Sequence, residues 1–358
     1  RSLAALKLPV DSEDSAMKPG LLVKLACNRC GGTGLTLSEE ARTGDEIVSG
    51  MVRCPSCGHT LTISRGILRA VEDDKYVANF SFEWQLHRTT QLDGPNSNKS
   101  ARTFTRKTGI ALDSLAGKDV LDVGVGTGRF ADVVSRAGAA VTGIDLSLAV
   151  ETAMDNVGRR DNVNIIQADI FDLPLASASF DLIYSIGVLH HTPDCKQAFM
   201  KLVPLLRPGG TIVIWVYNAH VWEPGSILET VNKAWRSITT RMPHRLLYML
   251  CILELPWYFA KRIPGFEQLL HLVLPGAIYH AIPPTNTHAT VSEHLLDTFD
   301  WYSPQYQSKH TYPEVFGWFE EAGLEQIRIL PTPVAVSGRK PAKSEAPVAA
   351  GNSSAQPL

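Results

Sequence analysis

A buried strand that runs directly into three closely spaced glycines constrains this chain more than any other feature. Residues 120–130 read Val-Leu-Asp-Val-Gly-Val-Gly-Thr-Gly-Arg-Phe. Gly124, Gly126 and Gly128 allow the backbone to approach a ligand closely, and the helix that follows begins with free N–H groups. The spacing G-x-G-x-G differs from the dinucleotide fingerprint G-x-G-x-x-G, which disfavours a nicotinamide dehydrogenase. The segment therefore predicts a ligand-binding loop at the carboxyl end of a strand.

Strands and helices alternate around this loop. This rhythm predicts an α/β fold with a mostly parallel, doubly wound sheet. The predicted strands are 119–123, 140–144, 163–167, 180–185, 211–217 and 324–330, with a last strand at 332–337 turning back against its neighbour. The predicted helices are 129–137, 148–157, 196–206 and 313–322, with a turn at 207–210 and a helix C-cap at Gly323.

Composition narrows the class of protein. The chain has 358 residues, 44% of them hydrophobic, and a formal net charge of −2. This is too apolar for a disordered chain, and the balanced charge argues against coating nucleic acid by bulk electrostatics. Residues 1–16 lack the apolar core of a secretory signal. Together with reduced cysteines, this predicts a cytoplasmic protein.

Acidic residues follow the next two predicted strands. Asp145 ends the second strand, where an acid can accept both hydroxyls of a ribose. Asp169 follows the third strand in the same way. Either aspartate taken alone could be an ordinary helix cap or turn former.

In this order, the motifs resemble those of the class I S-adenosylmethionine (SAM)-dependent methyltransferases, of the ubiquinone and menaquinone biosynthesis type. The resemblance covers 119–217 closely and 311–337 loosely. It implies a Rossmann-like sheet of seven strands, the last antiparallel, and SAM as cofactor. The residues it places around SAM are Asp122, Gly124, Gly126 and Gly128 at the methionine part, Asp145 at the ribose, Asp169 at the adenine amino group, Leu146 and Ile170 beside the adenine plane, and Ser185 at the end of the fourth strand.

Four of the six cysteines form two C-x2-C pairs. Cys27 and Cys30 precede a polar stretch, and Cys54 and Cys57 follow it. Two such pairs supply the four ligands of a tetrahedral structural Zn²⁺, whereas a redox C-x-x-C motif normally occurs once. His59 is an alternative ligand, and a site that has lost its metal is a further alternative. The stretch 21–71 also resembles zinc ribbons fused to bacterial methyltransferases and the small activator protein of tRNA methyltransferases.

Two groups are candidates for handling the methyl acceptor. His190 and His191 follow the fourth strand, and either could be a general base. A packing or helix-capping role is the alternative for both. Residues 297–306 mix aromatic and acidic side chains, include Tyr302 and continue to His310. They could line a small-molecule site or simply hold the insertion against the sheet.

The sequence therefore predicts a SAM-dependent methyltransferase that transfers a methyl group to an oxygen atom of a small molecule, such as a natural product or a glycan sugar. The first alternative is an rRNA or tRNA methyltransferase that uses the zinc ribbon for RNA contact. Residues 75–108, with six Lys/Arg against two acids, would help such binding. The second is a non-catalytic scaffold. The run 246–260 holds Glu254 and Pro256 and is too short for a membrane span. The oligomeric state stays open.

The motifs divide the chain into successive segments. The predicted order is a flexible N-terminus (1–20), a zinc ribbon (21–72), aromatic and basic linker helices (73–118), the SAM-binding core (119–217), a helical insertion or lid (218–300), the C-terminal part of the core (301–337) and a disordered tail (338–358).

Overall fold

One mixed sheet runs through the part of the protein that the computed structural model describes, namely residues 16–71, 75–94, 97–221, 227–255 and 290–342. Its strands are β1 (Thr36–Thr43), β2 (Glu46–Arg53), β3 (Thr60–Ser64), β4 (Ile67–Arg69), β5 (Asp119–Val123), β6 (Ala140–Asp145), β7 (Val163–Gln167), β8 (Phe180–Ile186), β9 (Leu206–Trp215), β10 (Glu325–Ile329) and β11 (Ala335–Arg339).

The strand order places the glycine loop at the centre of the sheet. The order is β1-β2-β3-β4-β7-β6-β5-β8-β9-β11-β10. Strands β7, β6, β5, β8 and β9 pair in parallel, and β11 pairs antiparallel with β9. The chain reverses its direction of progress across the sheet at the β5–β8 pair, where open α/β sheets bind their ligands. The predicted doubly wound sheet with an antiparallel last strand is confirmed.

The ribbon strands join this sheet instead of forming a separate one. Strand β4 pairs in parallel with β7, with Leu68 opposite Ile166 and Arg69 opposite Gln167. Buried side chains of the ribbon and of the central strands form one continuous hydrophobic cluster. The ribbon therefore extends the sheet that carries the glycine loop.

The N-terminal boundary differs from the predicted one. Met17 is fully buried, and its backbone pairs with Ile47 of β2 through two 2.9 Å hydrogen bonds. A 3-10 helix follows at Pro19–Lys24. The prediction of a flexible N-terminus is therefore wrong for residues 16–20, because Met17 pairs with the backbone of β2. Residues 1–15 lie outside the described residues.

Helices cover both faces of the parallel strands and build the insertion. The 3-10 helix Val203–Leu205 contains Pro204, which lacks an amide donor, so the α-helix before it ends sooner than predicted. The α-helices are α1 (Ala78–Leu86), α2 (Lys99–Thr108), α3 (Arg129–Arg136), α4 (Ala149–Val157), α5 (Cys195–Leu202), α6 (Ile227–Thr239), α7 (His244–Leu253), α8 (Val291–Tyr302) and α9 (Tyr312–Glu321). Further 3-10 helices are Lys75–Val77, Leu112–Leu115, Leu189–His191 and Ala219–Val221.

Local sequence explains where several helices begin. Asp194 caps α5 by accepting a hydrogen bond from the Gln197 amide. Thr290 and Thr311 begin α8 and α9 with complete capping boxes, in which a glutamate three residues later bonds back to the cap. The C-cap of α9 is Ala322, one residue before the predicted Gly323, which follows it with φ +67°.

Two predicted boundaries near the sheet change. The predicted turn at 207–210 is wrong, because these residues form the first part of β9, next to an irregularity in its pairing with β8. The last strand lies at Ala335–Arg339 instead of 332–337 and takes in the first residues of the predicted tail. Residues 343–358 lie outside the described residues.

The insertion packs through α6, α7 and α8. Leu247, Cys251, Phe299, Trp301 and Tyr302 form its buried cluster. Residues 256–289, which include the end of the apolar run 246–260, lie outside the described residues. Among the residues that are described, no helix combines the length and apolarity needed to cross a bilayer.

Candidate functional site

The glycine loop, residues 124–128, has two positions at which the backbone conformation and the neighbouring side chains leave no room for a Cβ. Gly124 and Gly128 have φ +78° and +88°, which L-residues with a Cβ rarely adopt. A Cβ at Gly124 would collide with Val188, and one at Gly128 would lie 2.9 Å from Val157 Cγ2. The loop ends at the first turn of α3, whose backbone amides favour anionic or lone-pair groups.

Asp145 lies beside the loop and is held there by several donors. Its Oδ2 accepts a 3.0 Å hydrogen bond from the Gly126 amide. Its Oδ1 accepts bonds from the amide and hydroxyl of Ser147, at 2.8 and 2.7 Å. Burial raises the pKa of this carboxyl, against the effect of these donors. The structure thus brings together the loop and the acid predicted for the ribose.

Asp122 leaves a buried polar atom unsatisfied at the base of the loop. It is 3% exposed, and its Oδ2 has no hydrogen-bond partner among the described residues. Burial raises the pKa of Asp122 to about 7. An orphan oxygen of this kind is costly unless a bound group satisfies it. Together with the glycine cradle, it fits the methionine end of a SAM molecule.

Asp169 follows β7 at the same edge of the sheet. It is 6% exposed, and its Oδ1 accepts a 3.0 Å bond from the Phe171 amide. Leu146 is buried after β6, and Ile170 is half-buried after β7. Ser185 has a different environment, because it is fully buried and its hydroxyl donates to Val123 O at 3.2 Å. This bond ties β5 to β8.

Helix α1 covers the edge of the sheet that carries the glycine loop, Asp145 and Asp169. This contact was not predicted from the sequence. Trp84 lies 3.7 Å from the Cβ position of Gly126, and the Ser81 hydroxyl accepts from the Leu148 amide at 2.9 Å. The Phe80 ring contacts the His191 ring at a centroid distance of 5.3 Å. Trp84 and Phe80 therefore face the site, whereas Phe82 packs against Phe299 of α8. The Trp84 and Phe80 side chains are half-buried, unlike the exposed aromatic platforms on which nucleic-acid bases stack.

The two predicted histidines are buried side by side. His190 is fully buried and stacks on Tyr217 with centroids 3.7 Å apart; burial and the neighbouring His191 hold its pKa far below the usual range. His191 Nδ1 lies 2.9 Å from Tyr306 O, so a neutral ring donates from Nδ1 and carries its lone pair on Nε2. That Nε2 has no partner among the described residues, and burial lowers the pKa of His191 to about 4.

Acidic side chains from α1 and α8 approach each other beyond these histidines. Glu83 is fully buried, and neither carboxyl oxygen has a hydrogen-bond partner within the described ranges. Burial and the nearby carboxyls of Asp300 and Asp297 hold its pKa well above the usual range. The Tyr217 hydroxyl donates to Asp300 Oδ2 at 3.3 Å. Sequence patterns could not reveal Glu83, because it lies in a predicted linker far from Asp300 in the chain.

Basic side chains border the same region. Lys107 Nζ lies 3.2 Å from the centre of the Trp215 ring, and burial lowers the pKa of Lys107 to about 7. Arg236 donates to the carbonyl oxygens of Trp301 and Pro304 at the end of α8. Aromatic walls with acidic and basic groups suit a small polar organic molecule.

The other two predicted catalytic residues lie at the margin of this region. Both nitrogens of His310 are engaged, Nδ1 with Glu314 Oε1 at 2.9 Å and Nε2 with Ser308 Oγ at 2.8 Å. Tyr302 packs in the cluster between α7 and α8, and its hydroxyl has no partner among the described residues. Both nitrogens of His310 thus bond within the segment 308–314, and the Tyr302 hydroxyl is buried in the cluster between α7 and α8.

The four predicted metal ligands converge. Their sulfur atoms all lie within 4.8 Å of one another. The Cys27–Cys57 and Cys30–Cys54 pairs have Sγ atoms 3.6 Å apart, close to the roughly 3.8 Å of a tetrahedron with 2.3 Å zinc–sulfur bonds. A Cβ at Gly32 would lie 3.3 Å from two of these sulfurs. The donor set and the space around it therefore fit Zn²⁺.

The two remaining cysteines do not belong to this group. Cys195 and Cys251 are 5% and 4% exposed, and burial raises the pKa of both thiols. Their predicted packing role agrees with this burial.

A surface depression at the other end of the sheet is unrelated to these groups. Its volume is about 650 Å³, and Lys118, Gly209 and Arg339 are among its lining residues. Lys118 precedes β5 and Gly209 lies in the first part of β9, so the depression faces the amino ends of the central strands.

The sequence of the central domain matches a known family. Residues 121–214 match the methyltransferase domain family Methyltransf_11. The O-methyltransferase cnsE of Penicillium expansum is 40% identical over 116 residues, which cover 31% of this chain and 42% of that protein. The ubiquinone biosynthesis O-methyltransferase of Coxiella burnetii (strain Dugway 5J108-111) is 33% identical over 109 residues, 30% of this chain and 47% of that protein.

A solved structure gives a similar partial match. A SAM-dependent methyltransferase from Mesorhizobium loti is 31% identical, covers 29% of this chain and 49% of its own, and has a TM-score of 0.28. The chain spans about half the length of the curated relatives it matches. The predicted methyltransferase resemblance is confirmed for the central domain.

Proposed function

We propose that this protein transfers the methyl group of SAM to an oxygen atom of a small-molecule acceptor. The observation that carries the proposal is the glycine loop at the β5–β8 reversal with Asp145 bonded to it, inside a methyltransferase domain. Curated relatives that are O-methyltransferases support oxygen as the acceptor atom.

Asp145, Asp122 and Asp169 would hold SAM, which supplies an electrophilic methyl carbon next to a sulfonium. Asp145 offers two oxygens to the ribose hydroxyls, at a position fixed by Gly126 and Ser147. Asp122 at the loop base and Asp169 after β7 take the methionine and adenine ends. Trp84 and its helix exclude water from the loop, which strengthens these polar contacts.

His191 is the group best arranged to take the acceptor's proton. Its Nε2 carries the lone pair of a neutral ring and is unpartnered among the described residues. Bound SAM would supply the methyl carbon to the acceptor oxygen and keep the electrons of the broken carbon–sulfur bond on its sulfur, and His191 Nε2 would take the acceptor's proton. The low pKa of His191 makes it a weak base, so this role suits an acceptor with an acidic hydroxyl, such as a phenol or enol.

The Cys27, Cys30, Cys54 and Cys57 group would hold a structural Zn²⁺. Four sulfur ligands fill a tetrahedral site, so no position is left for substrate. The site requires reduced cysteines, which is the basis for proposing the cytoplasm as its compartment.

A direct experiment separates the acceptor classes. Purified protein is incubated with methyl-labelled SAM and a cell extract, which is then fractionated into RNA, protein and small molecules. The proposal is supported if the label enters the small-molecule fraction, resists hydrolysis by base, and is absent when Asp145→Ala replaces the wild-type protein. Label in RNA alone, or no transfer and no SAM binding by calorimetry, would overturn it.

A further inference from the structure

The loop that carries Asp169 is held from two sides by the ribbon. On one side, the end of β4 reaches Gln167, the last residue of β7. The Ala70 amide donates to Gln167 O at 2.9 Å, and Arg69 donates to Gln167 Oε1 at 2.7 Å. Gln167 stands two positions before Asp169, so β4 fixes the start of the loop.

On the other side, the first cysteine pair and the residues before it hold the end of the loop. The Asn28 side-chain amide, between Cys27 and Cys30, donates to Asp172 Oδ2 at 2.9 Å. The Ala26 amide donates to Pro174 O at 3.2 Å. The Ala176 amide donates to Lys24 O at 2.8 Å. The segment 172–176 therefore follows the course of residues 24–28.

Within the loop, these contacts lead directly to Asp169. The Asp172 amide donates to Asp169 O at 2.9 Å, and the Phe171 amide donates to Asp169 Oδ1 at 3.0 Å. A shift of Asp172 therefore moves both the backbone and the carboxyl of Asp169. The sharp turn at Cys27, in which the Gly31 amide donates to Cys27 O at 2.7 Å, is the kind of turn that four-sulfur zinc coordination fixes.

We propose that the Cys27–Cys30 turn, when its sulfurs hold zinc, sets the affinity for SAM, and that Asn28 is the positioning residue that transmits this effect to the Asp169 loop. The inference rests on the proposed function, because it assigns SAM to this edge of the sheet. It makes cofactor affinity depend on the metal at a site that touches neither the methyl group nor the acceptor. By linkage, bound SAM would in turn raise zinc affinity by the same factor.

The test uses the zinc-loaded full chain with S-adenosylhomocysteine (SAH) as the probe, measured by calorimetry, with zinc content measured for each variant. Asn28→Asp places a carboxylate against Asp172, and we expect the Kd for SAH to rise about tenfold with zinc retained. The double variant Asn28→Asp/Asp172→Asn restores a donor–acceptor pair in the opposite direction. We expect its Kd to return to within about twofold of wild type. Arg29→Ala, at an exposed neighbour in the same turn, is the control.

Zinc removal with a chelator gives an independent reading. We expect weaker SAH binding, by about 5- to 150-fold, and faster amide hydrogen exchange over residues 168–176. The inference is overturned if Asn28→Asp binds SAH as wild type does, or if the double variant stays as weak as the single one. It is also overturned if the zinc-free protein keeps full affinity. A wild-type protein that binds neither SAM nor SAH would instead overturn the proposed function itself.

Discussion

The Gly126 amide donates a 3.0 Å hydrogen bond to Asp145 Oδ2, which joins the glycine loop of β5 to the acid at the end of β6. The two residues are 19 positions apart in the chain and belong to different βα units. Because Ser147 holds the other carboxyl oxygen, Asp145 has one fixed orientation at the mouth of the loop. Its carboxylate is therefore ready for a diol without rearrangement, which lowers the entropic cost of binding.

Replacing Asp145 should weaken SAM binding strongly. We expect Asp145→Ala to weaken SAM by about 100-fold, since hydrogen bonds to a charged group are lost and the loop loses its anchor. Asp145→Asn keeps one acceptor oxygen and should cost less, about tenfold. Calorimetry measures both. Asp113→Ala, at an exposed acid in a 3-10 helix, is the matched control, and equal affinity of Asp145→Ala and this control would contradict the assignment.

Replacing His191 should lower turnover without changing the affinity for SAM. We expect His191→Ala to lower kcat by about 100-fold or more while the Kd for SAM stays unchanged. Because burial lowers its pKa to about 4, the ring is neutral and able to accept a proton at every pH above that value. The wild-type kcat should therefore fall through protonation of His191 only as the pH falls through about 4. His220→Ala, at an exposed histidine, should behave as wild type, and a similar loss in both variants would rule out the role.

The sequence predicted the parts of the site that depend on local pattern. The glycine loop and the cysteine pairs impose their geometry within a few residues, and the structure brings each group together as expected. The position of Asp145 beside the loop was predictable, because residues that end neighbouring parallel strands lie at the same edge of the sheet.

What the sequence could not reveal depends on contacts between distant segments. Leu68 pairs with Ile166, and no periodicity in either strand indicates that the ribbon would join the sheet there. Met17 is buried only because β2 presents a partner edge. Glu83 is a single acid in an aromatic segment, and its burial follows from the way α1 packs against α8.

The buried carboxyl of Glu83 should make stability fall as pH rises. Burial holds its pKa in the folded protein well above the unfolded value, so the folded state retains a proton that the unfolded state loses. Its stabilising contribution is complete below the unfolded pKa of about 4.5 and is lost as pH rises towards the folded pKa. We expect Glu83→Gln to remove part of this decline, so that its melting temperature relative to wild type increases from pH 5 to pH 8. The exposed Glu320→Gln should show no such trend, and parallel curves for Glu83→Gln and wild type would contradict the prediction.

Arg69 should be the side chain on which the junction between ribbon and sheet most depends. Its guanidinium bonds to Gln167 on β7 and pairs with Glu151 on α4, so one residue of β4 links two elements of the central domain. The side chain is 14% exposed, and its loss leaves a half-buried carboxylate without this partner. We expect Arg69→Ala to lower the free energy of unfolding by about 1–3 kcal/mol.

Urea unfolding followed by circular dichroism measures that change, with Arg29→Ala, at an exposed arginine of the ribbon, as the control. If the ribbon and the central strands form one cooperative unit, both variants unfold in a single transition and only Arg69→Ala shifts it. A second, early transition in the wild-type protein would instead show that the ribbon unfolds by itself, because the β4–β7 pairing would then contribute too little to couple the two. A continuous sheet and a shared core predict the single transition.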